Sequence, residues 1–439
     1  MNYSQAISFL QSFPDLERGL PGTKSSRFLK MPLSTMVALL KSMGDPQNNT
    51  KTIHITGSKG KGSTATFITS ILNKAGYRTA LFTSPHLHSY CERIAFDLNP
   101  ISENLFAEGI SEIKPYIEDF DKNGHTISTF GILNALFFHL VNKADPPIDW
   151  QIVEVGLGGK DDLTNVFTNK EAAVITPISL EHTAILGPTK KDIAQNKAGI
   201  ITPGCIVISA PQEDIHATET IKTVCAEKKA ELLVVDSTPL AKQALPLLKM
   251  PGDHQITNAL TAIALARALT KKGHKIAVEA IRPGLSSAFL PGRFEIIELR
   301  NNSDIIIPII LDGAHNNDSA RALTNTLEAV FPNRPVLFIL GTNQDKNLED
   351  IWLELKNKAC GIIATRSVNY KALPPEEIKQ RILACDSTAQ VVCSDNIDQS
   401  LGKANNYLMN NNDKVICICG SFYLIAEARE RLLDGNYTL

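Results

Sequence analysis

The chain has 439 residues, of which 43% are hydrophobic and 21% charged, and a formal net charge of −2. That length exceeds the ~250–300 residues at which a single core stops growing, so two domains are expected. The near-neutral charge, with no Lys/Arg cluster interleaved with aromatics, argues against a nucleic-acid partner. No run approaches the ~18 apolar residues of a membrane span.

The opening residues, MNYSQAISFLQSFPDLERG, carry an acid at Asp15 and lack the apolar core of a signal peptide. The eight cysteines form no C-x-x-C pair and read as reduced packing residues. Both features suit a cytoplasmic protein.

Short β-rich runs alternate with amphipathic helical stretches, the pattern of a parallel α/β sheet. Strands are expected near 52–56, 78–82, 149–155, 172–176, 205–209 and 231–235, with helices near 63–75, 103–120, 128–143, 192–200, 216–228 and 255–272. A proline- and glycine-marked break covers Arg282 to Gly292. Beyond it, strands near 294–299, 305–311, 335–340, 360–365 and 413–418 alternate with helices near 316–331, 347–357, 375–384, 395–409 and 421–433. The expected domains are 1–287 and 288–439.

The first strand runs into KTIHITGSKGKGSTATF, residues 51–67, where three glycines surround two lysines ahead of a helix. Gly57, Gly60 and Gly62 let the backbone approach phosphate oxygens closely, the following helix presents the positive end of its dipole, and Lys61 adds a full charge. The strict G-x-x-x-x-G-K-[ST] pattern is not met, because Gly62 rather than a hydroxyl follows Lys61. The magnesium ligand usual at that point must come from Ser63 or from elsewhere. A glycine-rich turn with solvated lysines is the competing reading.

In open α/β sheets ligands bind beyond the carboxyl ends of the strands. Three further segments place polar residues there: FTSPHLHSYCERI at 82–94, IVEVGLGGKDDLTN at 152–165, and ITPISLEHTAILG at 175–187 with DIAQNKAGI after it. Glu154 lies in an apolar strand, where an unpaired charge is costly, so it calls for a cation: Mg²⁺ or a paired Lys or Arg. Ser84 alone also reads as a turn residue, His182 as a hydrogen-bonded loop histidine, and Lys197 as a helix-surface lysine. In the second domain PGRFE at 291–295 and DGAHNND at 312–318 suit ribose or phosphate contact, and equally N-capping by Asn316 or Asn317.

Taken in order, HITGSKGKGST, SPHL, ERI, EVGLGG, EHT, KAGI, GDHQITNA, PGR and DGAH resemble the blocks of the folylpolyglutamate synthase and dihydrofolate synthase family, within the Mur-type ATP-dependent amide ligases. The resemblance reaches GSFYLIAEAR at 420–429 and so covers nearly the whole chain. It implies an α/β protein: an N-terminal P-loop, Mur-ligase-like ATPase domain with a parallel-rich sheet, and a smaller Rossmann-like C-terminal domain closing the cleft. ATP would phosphorylate the carboxylate of a folate or dihydropteroate substrate, and the L-glutamate amine would attack the acyl phosphate, in a monomer. By the same resemblance Gly57, Gly60, Lys61, Gly62 and Ser63 hold phosphate, while Ser84, Glu154 and His182 hold Mg²⁺. Lys197 matches a lysine that is carbamylated in related ligases. Asn258 matches an adenine contact, Arg293 a phosphate contact and Asp312 a ribose contact, with His315 in the same motif and Asp162 facing the substrate. Lys61, His182 and Lys197 are the expected catalytic set.

Some positions depart from the family pattern. Phe130-Gly131 stands where Phe-Glu is common, Lys160 and Leu163 replace an arginine and a small residue, and Asn317 replaces a proline. The expected reaction is γ-linked glutamate addition. Its rivals are a Mur-type ligase acting on another carboxylate or amino acid, and a nucleotide-dependent binding ATPase without ligation.

Overall fold

The computed structural model describes residues 1–15, 30–243, 245–300, 306–408 and 414–433. Residues 305, 409 and 413, at the ends of three expected elements, lie outside that set. Two compact units result, one of Met1–Leu248 with Ile256–Ala288, the other of Lys249–Gln255 with Phe289–Leu439.

The first unit is built on an eight-stranded sheet. Its strands are β1 (Lys51–Thr56), β2 (Thr79–Phe82), β3 (Ile94–Phe96), β4 (Asn99–Pro100), β5 (Trp150–Glu154), β6 (Ala172–Ile175), β7 (Ile206–Ser209) and β8 (Glu231–Val234). In space they run β4-β3-β2-β5-β1-β6-β7-β8, with β3 antiparallel to both of its neighbours and every other pair parallel. The central strands are buried on both faces, which is why they read as unbroken apolar runs rather than as alternation. Strand order reverses about β1: the chain leaves it for β2 on one side and later reaches β6 on the other, opening a crevice at the carboxyl end of β1.

The second unit carries six strands: β9 (Glu295–Arg300), β10 (Ile306–Leu311), β11 (Val336–Leu340), β12 (Ala359–Ala364), β13 (Val391–Cys393) and β14 (Val415–Cys419). Their order is β13-β12-β11-β14-β10-β9, parallel except for β9 against β10. Both units are therefore mixed, mostly parallel α/β structures, as expected.

One expectation is corrected. The break placed from Arg282 contains most of a helix, Val278–Ser287, with Pro283 inside it. Proline removes one backbone donor and crowds the carbonyl four residues back. This helix persists because it packs along the helix Lys61–Lys74, where Ser70 Oγ donates to the Gly284 carbonyl at 2.7 Å. The short strands β3, β4 and β13 and the helices Tyr3–Gln11 and Leu33–Ser42 are additions to the expected set. The cysteines are free thiols, five of them buried. Among the described residues no helix is long and apolar enough to cross a membrane.

Candidate active site

The loop after β1 is fixed by its neighbour β6. Thr176 N–H donates to the Thr56 carbonyl at 2.8 Å, and Ser58 N–H to the Pro177 carbonyl at 3.0 Å. Ser58 Oγ donates to the Ser179 carbonyl at 3.1 Å while accepting the Ser179 N–H at 3.0 Å. Gly57 has φ of 145°, and a Cβ there would lie 1.8 Å from Thr176 Oγ1. Only glycine fits this turn.

Gly60, with φ of 84°, caps the helix Lys61–Lys74 without a side-chain hydrogen bond. A glycine at the head of a helix offers no capping side chain, the usual construction of a phosphate site. Lys61 Nζ donates back to the Gly57 carbonyl at 3.1 Å, so the charge lies along the loop. Ser63 is buried in the first helical turn. A Cβ on Gly60 would stand 2.3 Å from Asn258 Oδ1, which places Asn258 against the phosphate loop.

β5 and β2 bring the carboxylate. Ile55 of β1 pairs with Glu154 of β5, and Glu154 is only 5% exposed. Its Oε2 accepts the Ser84 N–H at 3.1 Å, joining the end of β5 to the loop after β2. Among the described residues no three His, Cys, Asp or Glu side chains stand together as a metal cage. One buried carboxylate beside a hydroxyl fits Mg²⁺ instead, since that ion takes one or two protein oxygens and completes its shell with water and phosphate. His182 lies on the exposed loop beyond β6, with φ of 48°, heading a single helical turn.

Lys197, by contrast, is 1% exposed in the helix Lys190–Ala198, and its Nζ donates to Glu181 Oε1 at 3.0 Å. Burial pulls the amine down to about 8, against the opposing pull of Glu181. Asp162 is also buried, and both oxygens are engaged within its own loop: Oδ2 accepts the Leu157 N–H and Oδ1 the Thr164 N–H, each at 2.9 Å. Burial raises its carboxyl despite those bonds.

In the second unit Asp312 follows β10 and braces a turn, accepting the Phe294 N–H at 2.8 Å and the Ala314 N–H at 2.9 Å. The Arg293 guanidinium lies 4.5 Å from the centre of the Phe422 ring, and the His315 ring 5.9 Å from the same ring. Asn316, not Asn317, caps the helix Asn317–Val330 through a capping box with Ser319.

Two departures acquire a geometry. Gly131 is buried in the helix Thr129–Lys143, and a Cβ there would lie 2.3 Å from Met31 Sδ. Lys160 is exposed, and its N–H donates to the Asn196 carbonyl at 2.9 Å. Sequence reasoning missed His54 and Lys170, buried polar residues linked at 2.9 Å. The available signal was a histidine in the middle of the β-branched strand β1, between Ile53 and Ile55.

A glycine loop, a buried carboxylate and a hydroxyl at adjacent carboxyl ends of one parallel sheet form the architecture of an α/β P-loop ligase. Residues 295–431 match the family described as dihydrofolate synthetase, C-terminal domain. A dihydrofolate synthetase of Saccharomyces cerevisiae is 31% identical over 423 residues, spanning 91% of this chain and 97% of that protein. A dihydrofolate synthase/folylpolyglutamate synthase of Bacillus subtilis is 28% identical over 92% of this chain and 95% of its own length. Among solved structures, a Mycobacterium tuberculosis folylpolyglutamate synthase complexed with ADP superposes with a TM-score of 0.83 at 27% identity, covering 100% of this chain and 99% of that one. Escherichia coli FolC in complex with DHPP and ADP gives 0.81 at 26% identity, covering 98% of each. The chain belongs to the dihydrofolate synthase and folylpolyglutamate synthase family of ligases.

Proposed function

We propose that the protein uses ATP and Mg²⁺ to join L-glutamate to the carboxylate of a folate-type substrate, folate or dihydropteroate, acting as a cytoplasmic monomer. The observation that carries this reading is that the Lys61 loop and Glu154, with the Ser84 N–H on its carboxylate, follow or end the neighbouring strands β1 and β5 at their carboxyl ends. The loop N–H groups and Lys61 hold the phosphates. A substrate carboxylate oxygen attacks the terminal phosphorus, forming an acyl phosphate and releasing ADP. The glutamate amine then attacks the acyl carbon, loses a proton, and the tetrahedral intermediate expels phosphate to leave an amide.

Charge neutralisation and positioning are the protein's main contribution to such a transfer. Ser84, Glu154 and His182 would hold Mg²⁺, which supplies part of that neutralisation when bound. Lys197 carries a carbamate in this reading; burial, by lowering the amine to about 8, leaves a usable fraction of free base near neutral pH. Asn258, Arg293, Asp312 and His315 are assigned to nucleotide, Asp162 to the substrate loop, and residues 1–287 and 288–439 are the two functional parts.

The test is ADP release by the purified protein with Mg²⁺, with each candidate carboxylate in turn, with and without L-glutamate. Release that needs glutamate and a folate, or glutamate and dihydropteroate, is the expected result and identifies the acceptor. Slow turnover indifferent to both substrates refutes ligation, and activity confined to a carboxylate of another class refutes the folate assignment.

A further inference from the structure

Beneath the loop of residues 156–164 lies a buried chain of polar groups of which the reaction above uses only Asp162. Lys170 Nζ donates to the Ile200 carbonyl at 2.7 Å and lies 2.9 Å from His54 Nδ1 and 3.4 Å from Asn165 Oδ1. Charged or neutral, Lys170 has a hydrogen for His54 Nδ1 besides the one it gives the Ile200 carbonyl, and the Asp162 carboxylate at the far end only accepts, so His54 Nδ1 accepts and the ring proton resides on Nε2. His54 Nε2 then donates to Thr164 Oγ1 at 2.8 Å, and the Thr164 hydroxyl donates to Asp162 Oδ1. Asp162 Oδ2 finally takes the Leu157 N–H, at the start of the loop. Every donor points from Lys170 towards the carboxylate. Reversing one link sets two donors or two acceptors face to face.

The same chain reaches the segment that bears Lys197. Asn165 Nδ2 donates to the Gly199 carbonyl at 3.2 Å, and Lys160 N–H to the Asn196 carbonyl at 2.9 Å. A Cβ on Gly159 would lie 2.8 Å from the Lys197 carbonyl oxygen, so the two backbones are in close contact. Lys170 thus touches both sides: the loop through His54 and Asn165, and the Lys197 segment through Ile200.

We propose that Lys170 and His54 are positioning residues which, through Thr164 and Asp162, hold the 156–164 loop and the 196–200 segment in the arrangement needed for the acyl-phosphate reaction. The proposal rests on the ligase reading given above. A buried lysine is a poor choice for packing alone, because an apolar side chain of similar volume fills such a space without desolvating a charge. What the lysine adds is direction, since the hydrogen it gives His54 Nδ1 matches the tautomer that the Asp162 carboxylate requires at the other end.

The experiment compares wild type with Lys170→Met, His54→Gln and His54→Asn, by steady-state kinetics and by hydrogen–deuterium exchange. Lys170→Met is expected to raise KM for the folate-type carboxylate and lower kcat by roughly tenfold or more, while KM for ATP stays within about twofold. Exchange should quicken in peptides covering 156–165 and 196–201, with 57–67 unchanged. His54→Gln, whose amide reproduces the donor to Thr164, should retain more activity than His54→Asn. Unchanged exchange in those peptides, a uniform loss of protection along the chain, or equal defects in the two His54 variants overturns the proposal. If Lys170→Met does not fold, the His54 pair decides by the same readouts. Wild type lacking glutamate-dependent turnover sinks the ligase reading instead, and the exchange arm still decides the positioning role.

Discussion

Lys197 and Glu181 form a part-buried ion pair, Nζ to Oε1 at 3.0 Å, with Lys197 1% exposed and Glu181 only partly covered. A carbamate on Lys197 would turn this attraction into repulsion, so the pair belongs to the unmodified, protonated lysine. The amine must lose its proton before it can attack CO2, and burial holds that proton loss at about pH 8. In ¹³C-labelled bicarbonate, a carbamate signal should therefore grow as pH rises from about 7 to about 9. Lys197→Arg should give no signal, and none in wild type at any pH would dismiss the carbamate.

Lys61 is expected to matter for turnover far more than for folding. Its Nζ lies along the phosphate loop, and the one hydrogen bond seen, to the Gly57 carbonyl, ties it to no second element. A charge-assisted contact to phosphate contributes ~1.5–3 kcal/mol, so Lys61→Ala should lower kcat/KM for ATP by roughly ten- to a hundredfold. The thermal midpoint should move by no more than a few degrees. Near-normal kinetics would remove the loop from the reaction.

Gly57→Ala should fail for a steric reason. The added methyl meets Thr176 Oγ1 at 1.8 Å, on a backbone with φ of 145°. Strain of this kind costs about 1–3 kcal/mol, and relief requires the loop to move away from β6. Urea denaturation should show the loss of stability, and ATP binding by calorimetry should weaken. Adding Thr176→Ala should recover part of the stability, because the contact with the hydroxyl ends, while the Cβ of residue 176 at 2.9 Å, its carbonyl carbon at 3.0 Å and the dihedral strain remain.

Lys170 should leave a mark on stability against pH. Burial lowers its amine to about 7, from 10.5 in an unfolded chain. Between those values the unfolded state holds a proton that the folded state has released, so stability rises with pH, by up to ~1.4 kcal/mol per unit from this group. Below pH 7 both states are protonated and the desolvation penalty is fully present. Lys170→Met should flatten the wild-type slope between about pH 7 and 10, measured by urea midpoints; parallel slopes would refute the assignment.

The strands of both sheets were legible because parallel strands covered on two faces are continuous apolar runs, as Ile306–Leu311 and Val415–Cys419 show. The glycine loop was legible from the spacing of Gly57, Gly60 and Gly62 alone. The edge hairpin of β3 and β4 was not, since its strands have three and two residues and turn through Asp97 and Leu98 at positive φ. Pro283 concealed a helix whose stability comes from packing against Lys61–Lys74 rather than from its own sequence. His54 and Lys170 escaped for a further reason: residues 116 apart meet only once the sheet is assembled. Asp162 could be picked out as an acid, while its two oxygens turned out to be engaged within the loop it closes.

Met31 occupies the space that any side chain at position 131 would need, with its sulfur 2.3 Å from where a Cβ would stand. An acid at position 131, expected from the family resemblance, therefore requires the Met31 side chain to move. Gly131→Glu meets a filled interior, and Met31→Ala alone opens a void that nothing fills. Bulk at 31 and bulk at 131 thus draw on one shared volume, and Met31→Ala with Gly131→Glu should cost less than the two changes made separately.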